Sequence, residues 1–136
     1  MSIINTKALL AMAEEARSAS YSPYSGITVG AALLTASGRV YKGANIENAS
    51  YSPTICAERV AFFKAINEGE REFLAIAIAS GEADKPAKAD FPPCGVCRQV
   101  MSEFCDKDFT VILSDSQFNI KTMTLEDLLP FGFELN

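Results

Sequence analysis

Apolar positions at Leu9, Met12, Ala13 and Ala16 recur at helical spacing, so residues 5 to about 19 are predicted to form a helix with one apolar stripe. The segment SYSPYSG (residues 20–26) breaks it with a proline and a glycine. The period then falls to two. Ile27, Val29, Ala31 and Leu33 alternate with smaller or polar residues as in a strand, TASGR makes a tight turn, and VYKGANIE returns as the hairpin partner. A second helix is predicted within SPTICAERVAFFKAI (residues 52–66). Val60, Ala61, Phe63 and Ile66 mark its apolar face, and Gly69 follows as a C-terminal cap. FLAIAIAS (residues 73–80) is apolar throughout, the pattern of a strand covered on both faces. Beyond the polar loop GEADKPAKADFPP, CGVCRQVMSEF predicts a short helix, FTVILSD a buried strand, QFNIKTM a last strand and TLEDLLPFGF a closing helical turn. Strands alternating with helices after an opening hairpin predict an α/β sandwich on a mixed sheet. With no repeat, linker or low-complexity tract, residues 1–136 are expected to form one domain.

Composition narrows the partners. At 49% hydrophobic and 21% charged residues, the chain is rich in apolar side chains for its size. Either both faces of the sheet are covered or some apolar surface meets another subunit. The net charge of −5 and the lack of any basic run argue against a nucleic-acid polymer and favour a small neutral or cationic ligand. The opening MSIINTKALLAMAEEAR lacks the basic start and unbroken apolar stretch of a signal peptide, and no apolar run approaches membrane-spanning length. The expectation is a cytoplasmic protein whose thiols stay reduced.

Four cysteines then carry the chemistry. Cys94 and Cys97, spaced Cys-x-x-Cys at the start of a helix, fit a redox dithiol, half of a metal site or two buried thiols. Cys56 also opens a helix, where unpaired N–H groups and a partial positive charge favour thiolate. Three such sulfurs can hold one zinc ion and leave its fourth position open, as catalytic sites do. Cys105, roughly 12 Å further along its helix, is expected to be a buried free thiol. Glu58 follows Cys56 by two residues. Because helical side chains lean toward the N-terminus, its carboxylate can face the space over the first turn as a general acid and base. Three thiolates around one zinc leave a net negative centre. Arg59, three residues after Cys56, and Arg98, directly after Cys97, are candidates to withdraw part of that charge.

CAER followed by PCGVCRQ resembles the signature of the zinc-dependent cytidine deaminases, in which three cysteines, or a histidine and two cysteines, hold the metal. With no histidine in the chain, only the three-cysteine form fits. YSPYSGITVGAALL, GANIENASY, Glu103-Phe104 and LLPFGF extend the resemblance over nearly the whole length. It implies a three-layer α/β/α sandwich around a mixed five-stranded sheet, a short-chain homotetramer with one Zn2+ per subunit, and hydrolysis of cytidine or deoxycytidine to the uridine and ammonia in pyrimidine salvage. Carried over by position, Cys56, Cys94 and Cys97 would bind zinc and Glu58 would shuttle protons. Asn45 and Glu47 would hydrogen-bond the ribose hydroxyls, and Phe133 would stack near the base or sugar across a subunit interface. Ile27 and Thr28 stand where the family usually has phenylalanine and proline, so the base pocket would be closed by an aliphatic side chain with less stacking surface. The nearer alternative is deamination of another cytosine nucleoside such as blasticidin S. The more distant one is a non-enzymatic structural-zinc or redox Cys-x-x-Cys protein.

Overall fold

A computed structural model of the chain describes residues 4–87, 91–114 and 119–135. Helix α1 spans Thr6–Ala16, capped by the Asn5 side chain accepting from the Ala8 N–H, and a 3-10 turn, Arg17–Ala19, continues it. Strands β1 (Ile27–Thr35) and β2 (Val40–Ala44) form the predicted hairpin, turned at Gly38, where φ is 91°. Helix α2 (Ala57–Asn67), strand β3 (Phe73–Glu82), helix α3 (Gly95–Phe104), strands β4 (Thr110–Ser114) and β5 (Ile120–Thr124) and the short helix α4 (Leu125–Leu128) follow. Three of the expected segments extend into residues 88–90 and 115–118, which lie outside the described residues.

The five strands form one sheet in the order β2-β1-β3-β4-β5. Only the β3–β4 pair is parallel, because α3 carries the chain back across the sheet between them. Helix α1 covers one face, packing Leu9 and Ala13 on Ala32, Ala75, Ala77, Ala79 and Ile112. Helices α2 and α3 cover the other, where Phe62 and Met101 meet Leu33, Ile76, Ile78, Val111 and Leu113. This is the α/β/α sandwich with a mixed five-stranded sheet. The small residues of β3 on the α1 side let that helix sit close. A Cβ at Gly30 would stand 2.0 Å from the Ala13 carbonyl oxygen, so this position tolerates no side chain.

The helical stripes sit differently from the expectation. In α1, Leu9, Ala13 and Ala16 are buried as expected, and Met12 alone of the stripe is exposed. In α2 the buried aromatic is Phe62, not Phe63: Phe62 is 1% exposed and Phe63 41%. Phe62 anchors an aromatic group with Phe73 and Phe109 at ring-centroid distances of 5.2 and 6.0 Å. The simple alternation expected for β1 also fails, since Gly30 to Leu33 are buried on both faces of a central strand. No helix among the described residues is long and apolar enough to cross a membrane.

Candidate active site

Both α2 and α3 begin on a cysteine. Cys56 and Cys94 are the N-cap residues, with extended backbone (φ −77°, ψ 154° and φ −67°, ψ 170°), and neither helix has a side-chain cap. Gly43 permits the approach of α2 to the sheet, because a Cβ there would lie 2.4 Å from the Ala57 carbonyl oxygen. With α2 seated on β2 and α3 leaving the loop after β3, the two uncapped N-termini converge and Cys97, one turn into α3, completes the set. The three sulfurs lie within 4.8 Å of one another. Cys56–Cys94 and Cys94–Cys97 are each separated by 3.6 Å. Four-coordinate zinc with bonds of about 2.3 Å places its sulfur ligands about 3.8 Å apart, so the donor set fits the ion in both chemistry and spacing. All four cysteines are free thiols. Cys105 stands outside the cluster, and burial raises its thiol pKa well above the usual value.

The electrostatics of the cluster follow from its neighbours. A hydrogen bond from Cys97 lowers Cys56 to a pKa of about 5, with help from the Arg59 guanidinium and against the effect of burial. The same contact with Cys56, and then burial, push Cys97 in the opposite direction. Arg59 Nη2 lies 3.6 Å from Cys56 Sγ, and Arg59 Nε is buried without a hydrogen-bond partner. The guanidinium therefore faces the sulfurs with donor capacity unspent. Glu58, 5% exposed on the first turn of α2, has its carboxyl pushed up to about 7, chiefly by burial and further by the neighbouring Cys56. The space over the first turn thus holds three sulfurs, a dry carboxyl and a cation. Arg98 is placed differently: its Nε and Nη1 donate to the main-chain carbonyls of Pro93 and Leu128 at 2.7 and 2.6 Å, rather than to sulfur.

Asn45 and Glu47, just beyond β2, bind the chain entering β1. The Asn45 amide oxygen accepts from Ser20 Oγ (2.6 Å) and the Val29 N–H (2.9 Å), while its nitrogen donates to the Ile27 carbonyl (3.0 Å). Both lone pairs of that oxygen are used, and one N–H remains to be given away. Glu47 Oε1 accepts the N–H groups of Tyr24 and Ser25, and Oε2 accepts the Ser25 hydroxyl. That hydroxyl is the main reason the Glu47 pKa is lowered, so Glu47 is a carboxylate. Glu47 also lines a cavity of about 290 Å³ with Tyr24, Asn48, Tyr51 and Thr54. Half-buried Ile27 begins β1 on the same strand face as Val29, which, like Cys56, packs against the larger core cluster.

Phe133 is not brought to the sulfurs of its own chain. It is 66% exposed on the C-terminal tail, beside Gln99, Ser102 and Glu103 of α3. Two residues that the sequence pattern does not single out also shape this region. Ser20 reads there only as the start of a helix-breaking segment, yet it holds the Asn45 amide. The buried Arg17 guanidinium joins Glu14 to the Thr28 and Glu82 carbonyls and so ties α1 to β1 and β3. Nothing in the local pattern marks either residue, because their main partners are far away in sequence.

The family described as cytidine and deoxycytidylate deaminase zinc-binding region matches residues 4–113. The cytidine deaminase of Halalkalibacterium halodurans is 50% identical over 125 residues, covering 92% of this chain and 91% of its own. The 1.6 Å crystal structure of cytidine deaminase from Burkholderia pseudomallei superposes with a TM-score of 0.86 at 42% identity, covering 96% of this chain and all of the other. The blasticidin-S deaminase of Bacillus cereus is a more distant relative, 31% identical over 112 residues, 79% of this chain and 78% of its own.

Proposed function

Because the chain belongs to the zinc-binding cytidine and deoxycytidylate deaminase family, we propose that it hydrolyses the 4-amino group of cytidine or deoxycytidine, yielding uridine or deoxyuridine and ammonia. The observation that carries this reading is the placement of a buried carboxyl, Glu58, beside three sulfurs with zinc-ligand spacing. Cys56, Cys94 and Cys97 would hold the zinc ion, which when bound supplies Lewis acidity that makes water a competent nucleophile near neutral pH. Glu58 accepts a proton as water adds at C4 of the ring and delivers it to N3. It then takes the proton of the newly formed 4-hydroxyl and passes it to the amino nitrogen, so that C4=O forms as the C4–N bond breaks and ammonia leaves. Its burial keeps bulk water from intercepting those protons. Arg59, facing Cys56, withdraws charge from the thiolates and leaves the metal a better acid.

In this reading Asn45 gives its remaining N–H to a sugar hydroxyl and Glu47 accepts the hydroxyl proton, a pairing that suits a neutral nucleoside. Ile27 closes the pyrimidine pocket. Phe131, Phe133 and Leu135 lie exposed on the tail, and their cover would come from neighbouring subunits of a homotetramer, with Phe133 reaching a partner's substrate. The setting would be cytoplasmic pyrimidine salvage.

The test is the ultraviolet absorbance of cytidine and of deoxycytidine mixed with purified zinc-loaded protein. A steady fall as cytosine becomes uracil, absent in Glu58→Ala, supports the reading. Flat traces with both nucleosides and turnover of blasticidin S would overturn it. Sedimentation of the protein at micromolar concentration tests the tetramer separately.

A further inference from the structure

Three sulfurs form the metal set, but the protein secures them unequally. Cys97 is 1% exposed and held by core packing, and Cys56 is half-buried with Arg59 against its sulfur. Cys94 is exposed, and so are the next residues, Gly95 and Val96. Its sulfur position therefore depends on the two peptide groups that flank it. The following carbonyl, that of Cys94 itself, accepts the Arg98 main-chain N–H at 2.9 Å. The preceding carbonyl, that of Pro93, lies ahead of the N-cap and outside the ladder of α3. Arg98 Nε donates to it at 2.7 Å, and Pro93 is among the most deeply buried side chains of the molecule. The carbonyl after Cys94 thus takes the ordinary helical bond, while the one before it is held by the Arg98 side chain. Its remaining arm is braced elsewhere: Nη1 donates at 2.6 Å to the carbonyl of Leu128, the last residue of α4. A last-turn carbonyl has no helical partner and welcomes a cation.

We propose that Arg98 is a positioning residue for the metal. Its side chain holds the Cys94 sulfur at coordinating distance by fixing the Pro93 carbonyl that immediately precedes it, and uses the end of α4 as the fixed point. Its role is geometric, distinct from the charge relief assigned to Arg59. A guanidinium suits the task because its separate nitrogens can reach two carbonyls in different directions, which one ammonium cannot. The inference rests on the reading that the three cysteines hold zinc.

The experiment compares full-length wild type, Arg98→Lys and Arg98→Ala. Zinc release to a colorimetric chelator and the visible spectrum of the cobalt(II)-loaded protein are measured beside kcat, KM and the thermal midpoint. Arg98→Ala is expected to release zinc about 10- to 100-fold faster and to shift the cobalt bands. Its kcat should fall more than its KM rises, and added methylguanidinium should slow metal release again. Arg98→Lys, which keeps the charge and most of the stem, should lie between the two and decides the matter if the alanine variant does not fold. Zinc release and cobalt bands identical to wild type, even with a lowered thermal midpoint, would show Arg98 to be only a strut between α3 and α4 and overturn the proposal. A wild type that takes up neither metal would overturn it together with the zinc reading. A wild type that binds metal but leaves cytidine intact would overturn the deaminase reading alone, and the release comparison would still decide the role of Arg98.

Discussion

The starts of α2 and α3 are built from the same parts and do different work. Each opens on an uncapped cysteine in extended conformation and carries an arginine within its first turns. The start of α2 is enclosed, with Ala57 and Glu58 buried and the Arg59 guanidinium beside the Cys56 sulfur. The start of α3 lies at the surface, and its arginine turns to main-chain carbonyls. Burial explains the division. A carboxyl and a cation act on a reacting centre most strongly where water is excluded, so the proposed chemistry would gather at α2. An exposed turn gains little from charge but needs mechanical definition, which hydrogen bonds to otherwise unpaired carbonyls supply.

The largest test of this contrast lies at Glu58. Glu58→Gln should keep the fold and the bound zinc yet lose about 10²- to 10⁴-fold or more in kcat, read by the absorbance assay with zinc content measured on the same sample. Activity near wild type would remove Glu58 from the chemistry. Arg59→Ala should come next, weakening zinc retention in chelator competition by about tenfold while the circular dichroism stays native. Unchanged retention and turnover would mean that the Arg59–Cys56 contact has no electrostatic role.

Metal removal sharpens the contrast differently. After zinc is stripped by a chelator, a disulfide reagent should modify exposed Cys94 and the thiolate-biased Cys56 well before Cys97 and Cys105. Restoring zinc should protect the three clustered thiols. Equal rates for all the thiols would contradict the enclosed and open halves described above. A smaller effect is expected from Ser20→Ala, which frees one lone pair of the Asn45 oxygen. KM for cytidine should rise a few-fold with kcat nearly unchanged, since the hydrogen bond is neutral and remote from the reacting carbon.

The least effect should come from Asp127→Ala, which breaks the capping box with Thr124 at the start of α4 and should lower the thermal midpoint by a few degrees. The Asp127 pKa is lowered, chiefly by the Thr124 N–H. Its contribution is therefore present above the ordinary carboxylate range and is lost as pH falls through the depressed pKa. The two proteins should then melt alike at acid pH, and a gap that persists there would place its origin elsewhere.

The sequence by itself determined the order of elements, the α/β class and the cysteine cluster, because each was written in local signals: the unbroken apolar run of β3, proline and glycine at the breaks, and cysteines at two helix starts. CAER and PCGVCRQ also pointed to the metal chemistry, since a third cysteine at a second helix start turns the Cys-x-x-Cys pair into a three-sulfur ligand set. Tertiary structure alone decided which neighbour each side chain meets. It buried Phe62 rather than Phe63, because the direction from which the sheet approaches α2 is not recorded in the spacing. It gave Ser20 the Asn45 amide, twenty-five residues away, and sent Arg98 to Leu128, thirty residues on. An arginine beside a cysteine reads the same in both clusters. Whether it serves charge or position depends on the burial around it, and burial is a property of the packed layers.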